Sequence, residues 1–245
     1  MGERNEERKR YIARAKRRKR IFKRTLAVLI TVVITTSLIL GSVKLIRYIK
    51  GVYYNEGFIP APYRAKVSPK VEKAKTLQPP DFVDVQLIHK HTTARTGIQL
   101  TDVKYVVVHY VGNPASTAQN NRDYFDKAST KVSSHFVVGL DGEIIQCVPL
   151  YEKSAASNER NKDSISIEVC HPDSTGEFNE TTYNSLIRLV SWLCEEFSLD
   201  KTQIIRHYDI TGKECPRYYV QNENEWENFK SDVEEMLNES KGKEK

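Results

Sequence analysis

Acidic residues are scarce at the start of this sequence. Residues 1–100 contain 7 Asp and Glu against 22 Lys and Arg, whereas residues 101–245 contain 25 Asp and Glu against 16 Lys and Arg. The first part therefore has a net charge of +15 and the second part a net charge of −9. Such an asymmetry is typical of a basic tail or a membrane-proximal segment attached to a separate domain.

Cysteine is also rare. The chain has four cysteines, all in its second part: Cys147, Cys170, Cys194 and Cys215. In an oxidising compartment four cysteines could form two disulfides. If one of them binds a metal, three remain, and this odd number argues against a complete disulfide framework.

One long segment lacks charge altogether. Residues 25–43, TLAVLITVVITTSLILGSV, are 19 consecutive uncharged and mostly apolar residues, close to the ~20 needed to cross ~30 Å of hydrocarbon. Eleven Lys and Arg lie between Arg8 and Arg24, which by the positive-inside rule keeps the N-terminus cytoplasmic. We therefore predict a basic cytoplasmic segment at residues 1–24 and a single-pass transmembrane anchor at residues 25–43, with the rest of the chain on the outer face of the cell membrane.

Two other interpretations of this N-terminal region are weaker. A cleaved signal peptide usually has an apolar core of about 7–15 residues, and no A-x-A-like cleavage site precedes Lys44. A nucleic-acid-binding patch is not needed to explain the basic residues, since Lys and Arg beside a membrane bind anionic lipid head groups. We therefore expect this region to contact the lipid bilayer and not to bind nucleic acid.

The segment that follows is rich in proline. Five of the nine prolines lie between Pro60 and Pro80, and proline favours extended, semi-rigid chain over helix. We therefore predict an extended extracellular stalk at residues 44–99. His89 and His91 lie in its polar end, where solvated side chains are more common than metal ligands.

From residue 100 onward, strand and helix patterns alternate. Strands are predicted in KYVVVHYV, SISIEV and QIIRHYDI, and a hairpin in SHFVVGLDGEIIQCV with its turn at Asp141 and Gly142. Helical spacing marks STAQNNRDYFDKA, NETTYNSLIRLVSWLCEEF with Asn179 as its cap, and NEWENFKSDVEEMLN. This order predicts an α/β domain at residues 100–238, with a mixed central β-sheet flanked by helices, and a charged tail at residues 239–245.

Three potential metal ligands follow the predicted strands. His109 and His207 each lie at the end of a strand, and Cys215 follows His207 after seven intervening residues. Ligands collect at the carboxyl ends of strands in open α/β sheets, and two histidines with one thiolate and an open position are typical of catalytic zinc sites. Singly, each histidine could be structural and the cysteine could be in a disulfide. A closed structural zinc site would need four protein ligands.

Four stretches together resemble the zinc-dependent N-acetylmuramoyl-L-alanine amidase family, whose fold is shared with the peptidoglycan recognition proteins. These stretches are VVVHYVGNP, SSHFVVGLDGEIIQCVP, SISIEVCHP and IIRHYDITGKECPRYYV, and they occur in the order that the family shows. The resemblance covers roughly residues 101–237 and does not include the predicted anchor or stalk.

The resemblance implies a Zn²⁺ site formed by His109, His207 and Cys215. It also implies that Glu168, expected on the exposed face of SISIEV, is the acidic catalytic residue and that Lys213 is the catalytic cation. Zn²⁺ polarises a carbonyl and acidifies water, a carboxylate can transfer the proton, and a lysine can stabilise an oxyanion.

Two features depart from the family pattern. Ser134 stands where some relatives have a tyrosine that helps to hold the oxyanion, so we consider Ser134 and His135 as substrate-binding candidates, with a structural role favoured for His135. The stretch EKSAASNERN lacks a histidine that many relatives carry. Cys170 and His171, beside Glu168, could imitate a second metal site, but a metal role for them is disfavoured, and alternation places Cys170 on the face opposite that of Val169.

The expected function is hydrolysis of the amide bond between N-acetylmuramic acid and L-alanine in peptidoglycan, for cell-wall remodelling by a membrane-tethered enzyme. The alternative is a non-catalytic peptidoglycan receptor, because relatives that only bind have lost the cysteine ligand. Cys215 is present here, and this favours the enzyme.

Overall fold

The computed structural model describes residue 35 and residues 67–243. The predicted cytoplasmic segment, the predicted anchor at residues 25–43 apart from the helical Thr35, and residues 44–66 lie outside the described residues. Among the described residues, no helix is both long and apolar enough to cross a membrane.

Residues 67–243 build a mixed sheet of six strands with helices on its faces, as the sequence predicts. The sheet order is β1-β4-β3-β5-β2-β6, and only the β3–β4 pair is antiparallel. The strands are β1 (Val83–Val85), β2 (Tyr105–Tyr110), β3 (Phe136–Val138), β4 (Ile144–Gln146), β5 (Ser164–Val169) and β6 (Ile204–Arg206). The helices are α1 (Pro69–Thr76), α2 (Ala118–Phe125), α3 (Glu180–Phe197), α4 (His207–Thr211), α5 (Arg217–Gln221) and α6 (Glu223–Lys243), with 3₁₀ turns at Asn158–Lys162 and Lys201–Gln203.

Both faces of the sheet are covered. One apolar cluster joins β2 and β5 to helices α3 and α6, and it includes Val108, Ile167, Leu189 and Phe229. A second cluster joins Val137 and Ile145 to α2 and to the chain at Ile88. Continuous burial explains why β2 reads as an uninterrupted apolar run rather than an alternating one.

Local signals in the sequence mark the helix and turn boundaries correctly. The side chain of Asn179 accepts a hydrogen bond from the backbone N–H of Thr182 at 2.8 Å and caps α3. The β3–β4 hairpin turns at Gly142, whose φ of +82° is a left-handed conformation that glycine adopts without strain.

The prediction of an extended stalk through residue 99 is wrong for its described part. Val71 and Ala74 of α1 are buried in the main core, and β1 forms the edge of the sheet beside β4. Pro69 lies in the first turn of α1, where a missing backbone N–H costs nothing. From residue 67 onward this segment therefore belongs to the folded domain.

Three smaller predictions also need correction. His207 does not end a strand but begins the short helix α4 directly after β6. Residues 239–243, predicted as a charged tail, continue helix α6. The face of β5 that carries Ser164, Ser166 and Glu168 is not exposed, because both serines are fully buried and Glu168 is only partly accessible.

Candidate active site

The register of three parallel strands brings the site together. In the β2–β5 pair, His109 lies opposite Glu168. In the β2–β6 pair, Val108 lies opposite Arg206, so the next residue, His207, follows at the same end of the sheet as His109. The carboxyl ends of β2, β5 and β6 thus bring three candidate site residues together from distant parts of the sequence.

Cys215 reaches the same place through a tight reversal after β6. Helix α4 ends at Gly212, which has a φ of +75°, a left-handed conformation that commonly terminates helices. A hydrogen bond from the backbone N–H of Tyr208 to the carbonyl oxygen of Cys215, at 3.0 Å, holds the chain that follows α4 in place. Cys215 therefore lies beside the start of α4.

His109, His207 and Cys215 form one buried cluster. Their potential ligand atoms all lie within 4.8 Å of one another. The Cys215 Sγ atom is 3.9 Å from Nδ1 of His109, and the two imidazole rings have centroids 4.7 Å apart. The structure brings together the three residues that the sequence analysis grouped.

The free atoms of this cluster suit a metal ion. Nε2 of His109 contacts Ser157 Oγ at 3.0 Å, and Nε2 of His207 contacts Asn158 Oδ1 at 3.0 Å. Nδ1 of His207 is buried, and no described residue hydrogen-bonds to it. Because an unsatisfied buried nitrogen is costly, this atom is best explained as a ligand that faces a cation. Two imidazole nitrogens and one sulfur are a donor set that Zn²⁺ prefers.

Electrostatics keep the donors in distinct protonation states. Burial, then His207 and Lys213, hold the pKa of His109 well below its usual range, and burial with Lys213 also lowers the pKa of His207. Both imidazoles are therefore neutral at pH 7 and retain a lone pair. Burial, aided by Glu168, raises the pKa of the Cys215 thiol to about 12, so the thiol stays protonated until a cation approaches.

The cluster lies in a cleft of about 800 Å³. Glu168 and Lys213 also line this cleft, together with Asn120 and Tyr124 of helix α2 and the two lysines that follow this helix, Lys127 and Lys131. Tyr124 is 49% exposed, so its ring is available to a bound molecule. The volume is typical of a small-molecule or peptide site.

The carboxyl group of Glu168 has a pKa shifted towards neutrality. Burial raises the pKa of Glu168 to about 8, and the nearby positive charge of Lys213 opposes this shift. Its Oε2 atom is shielded from solvent and accepts no hydrogen bond from any described residue. A carboxyl group whose pKa is close to the working pH can both accept and return a proton.

The structure does not bring Ser134 and His135 to the cleft. Both are fully buried. The Ser134 hydroxyl donates to the carbonyl of Phe136 at 2.6 Å. His135 lies 3.1 Å from Ser166 Oγ through Nδ1 and 2.8 Å from the carbonyl oxygen of Glu152 through Nε2. The structural role favoured for His135 agrees with these contacts, whereas neither residue is positioned to touch a substrate in the cleft.

Cys170 and His171 lie outside the metal-ligand cluster. Cys170 is buried and accepts a hydrogen bond from Asn121 Nδ2 at 3.5 Å. Nδ1–H of His171 donates to the carbonyl of Asp173 at 2.6 Å. His89, considered above as a possible ligand, instead pairs with Asp126 at 2.8 Å.

Sequence reasoning missed Ser157 and Asn158. The stretch EKSAASNERN, which contains both residues, is distinguished in the sequence only by the histidine that it lacks. A 3₁₀ turn also has no periodic pattern of apolar residues that would indicate where its polar side chains point. Asn158 has a φ of +50°, and asparagine is enriched at such positions. That local preference alone does not reveal which histidines the turn contacts.

Comparisons with known proteins show what this domain is similar to. Residues 99–218 match the family model described as N-acetylmuramoyl-L-alanine amidase. The chain is 32% identical over 171 residues to the N-acetylmuramoyl-L-alanine amidase BlyA of Bacillus subtilis, covering 61% of this chain and 46% of BlyA. It is 29% identical over 160 residues to the amidase CwlL of Bacillus licheniformis, covering 58% of this chain and 44% of CwlL. The chain thus spans just under half the length of these two relatives.

One solved structure superposes on this chain over nearly the whole length of the solved domain. The catalytic domain of XlyA, an amidase of Bacillus subtilis, superposes with a TM-score of 0.55 at 27% identity, covering 62% of this chain and 98% of that domain. The family match, the shared fold and the His109–His207–Cys215 cluster lead to the same conclusion: through residues 99–218, this chain belongs to the N-acetylmuramoyl-L-alanine amidase family.

Proposed function

We propose that this protein is a membrane-anchored zinc amidase that hydrolyses the bond between N-acetylmuramic acid and L-alanine in peptidoglycan. The observation that carries the proposal is the cluster of His109, His207 and Cys215 in a cleft that Glu168 and Lys213 also line. Family membership supports the choice of substrate.

Nδ1 of His109, Nδ1 of His207 and Sγ of Cys215 would hold the metal. Zn²⁺ bound there would supply a Lewis acid that polarises the scissile carbonyl and acidifies water. The two neutral histidines offer lone pairs without first losing a proton. Cys215 must lose its thiol proton, so metal binding is coupled to proton release.

Glu168 acts as the general base and then as the general acid. In its ionised form it removes a proton from the attacking water, and it then delivers this proton to the amine of L-alanine as the C–N bond breaks. The immediate products are thus a neutral amine and the carboxylic acid of the muramic lactyl group, and at pH 7 this acid then gives its proton to the amine or to solvent and becomes the carboxylate. Such proton transfer contributes about 10²–10⁴-fold to rate.

Lys213 stabilises the negative charge that develops on the carbonyl oxygen. Its side chain is exposed at the cleft and its charge lowers the pKa values of His109, His207 and Glu168, so its field acts across the whole site. The same charge favours the ionised form of Glu168 that abstraction requires.

A non-catalytic receptor is the other function that this fold supports. A receptor needs only a cleft that recognises peptidoglycan and does not need all three metal ligands. All three ligand side chains and a carboxyl of raised pKa are retained here, and this combination favours hydrolysis.

The first experiment uses the full-length chain, purified in a mild detergent, and insoluble peptidoglycan. We expect release of stem peptides with a new N-terminal L-alanine, identified by N-terminal labelling and mass spectrometry. Chelator and Cys215→Ser should each abolish release, whereas Cys147→Ala, which alters a buried thiol outside the cluster, should retain it. Binding to peptidoglycan without release by the parent protein would support the receptor instead.

Anchoring rests on the sequence of residues 25–43 and is tested separately. We expect the chain to remain in membranes after carbonate extraction, and externally added protease to remove the domain from intact protoplasts. Extraction by carbonate, or recovery of the domain in the medium, would contradict the proposed anchor without affecting the proposed chemistry.

A further inference from the structure

One short turn contacts both histidines of the cluster. Ser157 and Asn158 are adjacent in sequence, at the start of the 3₁₀ turn Asn158–Lys162. Ser157 Oγ lies 3.0 Å from Nε2 of His109, and Asn158 Oδ1 lies 3.0 Å from Nε2 of His207. The turn therefore contacts the Nε2 atom of each histidine, and in His109 the other ring nitrogen, Nδ1, faces Cys215.

These contacts determine which nitrogen carries the proton. A carboxamide oxygen only accepts hydrogen bonds, so Nε2 of His207 must be the donor to Asn158. In a neutral imidazole the other nitrogen, Nδ1, then has the lone pair. Nδ1 of His207 is the buried atom that no described residue satisfies. For His109, the serine hydroxyl could donate or accept, and the second contact decides: Nδ1 faces Cys215 Sγ. A thiol S–H that donates to Nδ1 leaves the ring proton on Nε2, which then donates to the hydroxyl of Ser157.

The turn itself is held firmly. Asn161 Oδ1 accepts hydrogen bonds from the backbone N–H groups of Ala156 at 3.1 Å and Ser157 at 2.7 Å. Ala155 forms an antiparallel bridge with Ser133 on one side of the turn. Ser157 is fully buried, so water does not compete for its hydroxyl.

We propose that Ser157 and Asn158 are positioning residues that hold His109 and His207 as Nε2-protonated tautomers and so present both Nδ1 atoms to the metal. The inference rests on the metal site of the proposed function. It goes further by assigning the preorganisation of two ligands to one polar turn. Because Asn158 directly follows Ser157, whose backbone N–H is held by Asn161 Oδ1, displacement of the turn disturbs both ligands together.

Metal affinity provides the first test. Full-length protein and its variants are stripped of metal and titrated with zinc against a chromophoric chelator. Loss of such outer contacts typically weakens metal binding about 10–100-fold. We expect a loss of this size for Ser157→Ala and for Asn158→Gly, and near-parent affinity for Ser157→Thr, which keeps the hydroxyl.

Matched controls separate positioning from packing. Ser191 is also a buried serine with one hydrogen bond, to the carbonyl of Val233, so Ser191→Ala should leave zinc affinity unchanged. Ser198 has a φ of +49°, close to the +50° of Asn158, so Ser198→Gly controls for introducing glycine at such a position. In Asn158→Gly the backbone conformation remains accessible and only the carboxamide is lost.

The tautomers provide a readout that does not require metal. In ¹⁵N spectra of the metal-free protein, His109 and His207 should each show a protonated Nε2 and an unprotonated Nδ1. Asn158→Gly should give His207 a mixture of tautomers while leaving His109 largely unchanged, and Ser157→Ala should do the reverse. Cobalt-substituted protein should show altered visible bands in the same two variants.

The outcomes distinguish this inference from the proposed function. A parent that binds zinc while both variants bind it equally tightly, with unaltered cobalt bands and tautomers, would overturn the inference alone. A parent that binds no zinc would overturn the proposed function. If Ser157→Ala does not fold, the pair Asn158→Gly and Ser198→Gly decides the question.

Discussion

Nδ1 of His109 lies 3.9 Å from Sγ of Cys215, although 106 residues separate them in the sequence. The contact depends on two elements, the end of β2 and the reversal after α4. Both must be in place before a metal can be held, so metal binding should report the folded state of the whole domain.

Zinc binding should release about one proton from Cys215. Burial raises the pKa of this thiol to about 12, so it is protonated at pH 7 and must ionise to become a ligand. Calorimetric titration in buffers with different ionisation enthalpies would measure the proton count. In Cys215→Ser we expect much weaker binding, whereas Cys147→Ala should retain both affinity and proton release. Unaltered zinc affinity in Cys215→Ser would contradict the ligand assignment.

Glu168→Gln should lower kcat by about 10²–10⁴-fold with little effect on KM, because it removes proton transfer and keeps the side-chain volume. Zinc content should remain that of the parent, since Glu168 is not among the clustered ligands. Stopped assays of stem-peptide release, with metal analysis on the same samples, would measure both quantities. A variant with near-parent kcat would exclude Glu168 as the general base.

Lys213→Ala should reduce kcat by about 10²–10³-fold, the usual cost of a lost oxyanion donor. It should also move the acidic limb of the pH–rate profile to higher pH. Burial raises the pKa of Glu168 to about 8 and Lys213 lowers it, so loss of this positive charge raises the pKa further. Because the ionised form acts as the base, activity then falls at a higher pH. Lys213→Arg, which keeps the charge, should retain the position of the limb; a limb that stays fixed in Lys213→Ala would contradict this coupling.

The ion pair between Arg95 and Glu152 should contribute strongly to stability. Arg95 donates to Glu152 through Nε at 2.8 Å and Nη2 at 3.1 Å, and Nη1 donates to the carbonyl of Ile88 at 2.7 Å. Glu152 is 1% exposed, and removal of one partner of a buried pair costs about 3–5 kcal/mol. We expect Glu152→Gln to lower the free energy of unfolding by that amount in urea titrations.

The exposed pair of Lys201 and Glu234 provides the control for that measurement. Its side chains are 44% and 43% exposed, and pairs of this kind contribute about 0–1 kcal/mol. Lys201→Gln should therefore change the free energy of unfolding little. Similar losses in the two variants would mean that residues 88–95 are not tightly joined to the domain.

The sequence allowed the sheet, the main helices and the ligand cluster to be predicted for physical reasons. The apolar run before His109, the cap at Asn179 and the left-handed turn at Gly142 are local signals, and each corresponds to an observed element. The roles of Glu168 and Lys213 came from the family resemblance, because spacing alone does not bring them to one cleft.

Other features could not be predicted because they depend on distant contacts. Proline content suggested an extended stalk, but Pro69 is accommodated in the first turn of α1, whose buried Val71 and Ala74 pack on the domain. The alternating pattern of β5 suggested that Glu168 is exposed. The face of β5 that carries Ser166 and Glu168 is instead covered by residues that include His135, which directly precedes β3 and contacts Ser166. Asn158 is near His207 only after folding.

The proposed amidase activity depends on a zinc ion held by His109, His207 and Cys215. The most direct measurement is the amount of new N-terminal L-alanine released from peptidoglycan by metal-depleted full-length protein as zinc is added. We predict no release before addition, and a rise that reaches its maximum at one zinc per chain. Release that is equal with and without zinc, or peptidoglycan binding with no release at any zinc concentration, would contradict the account.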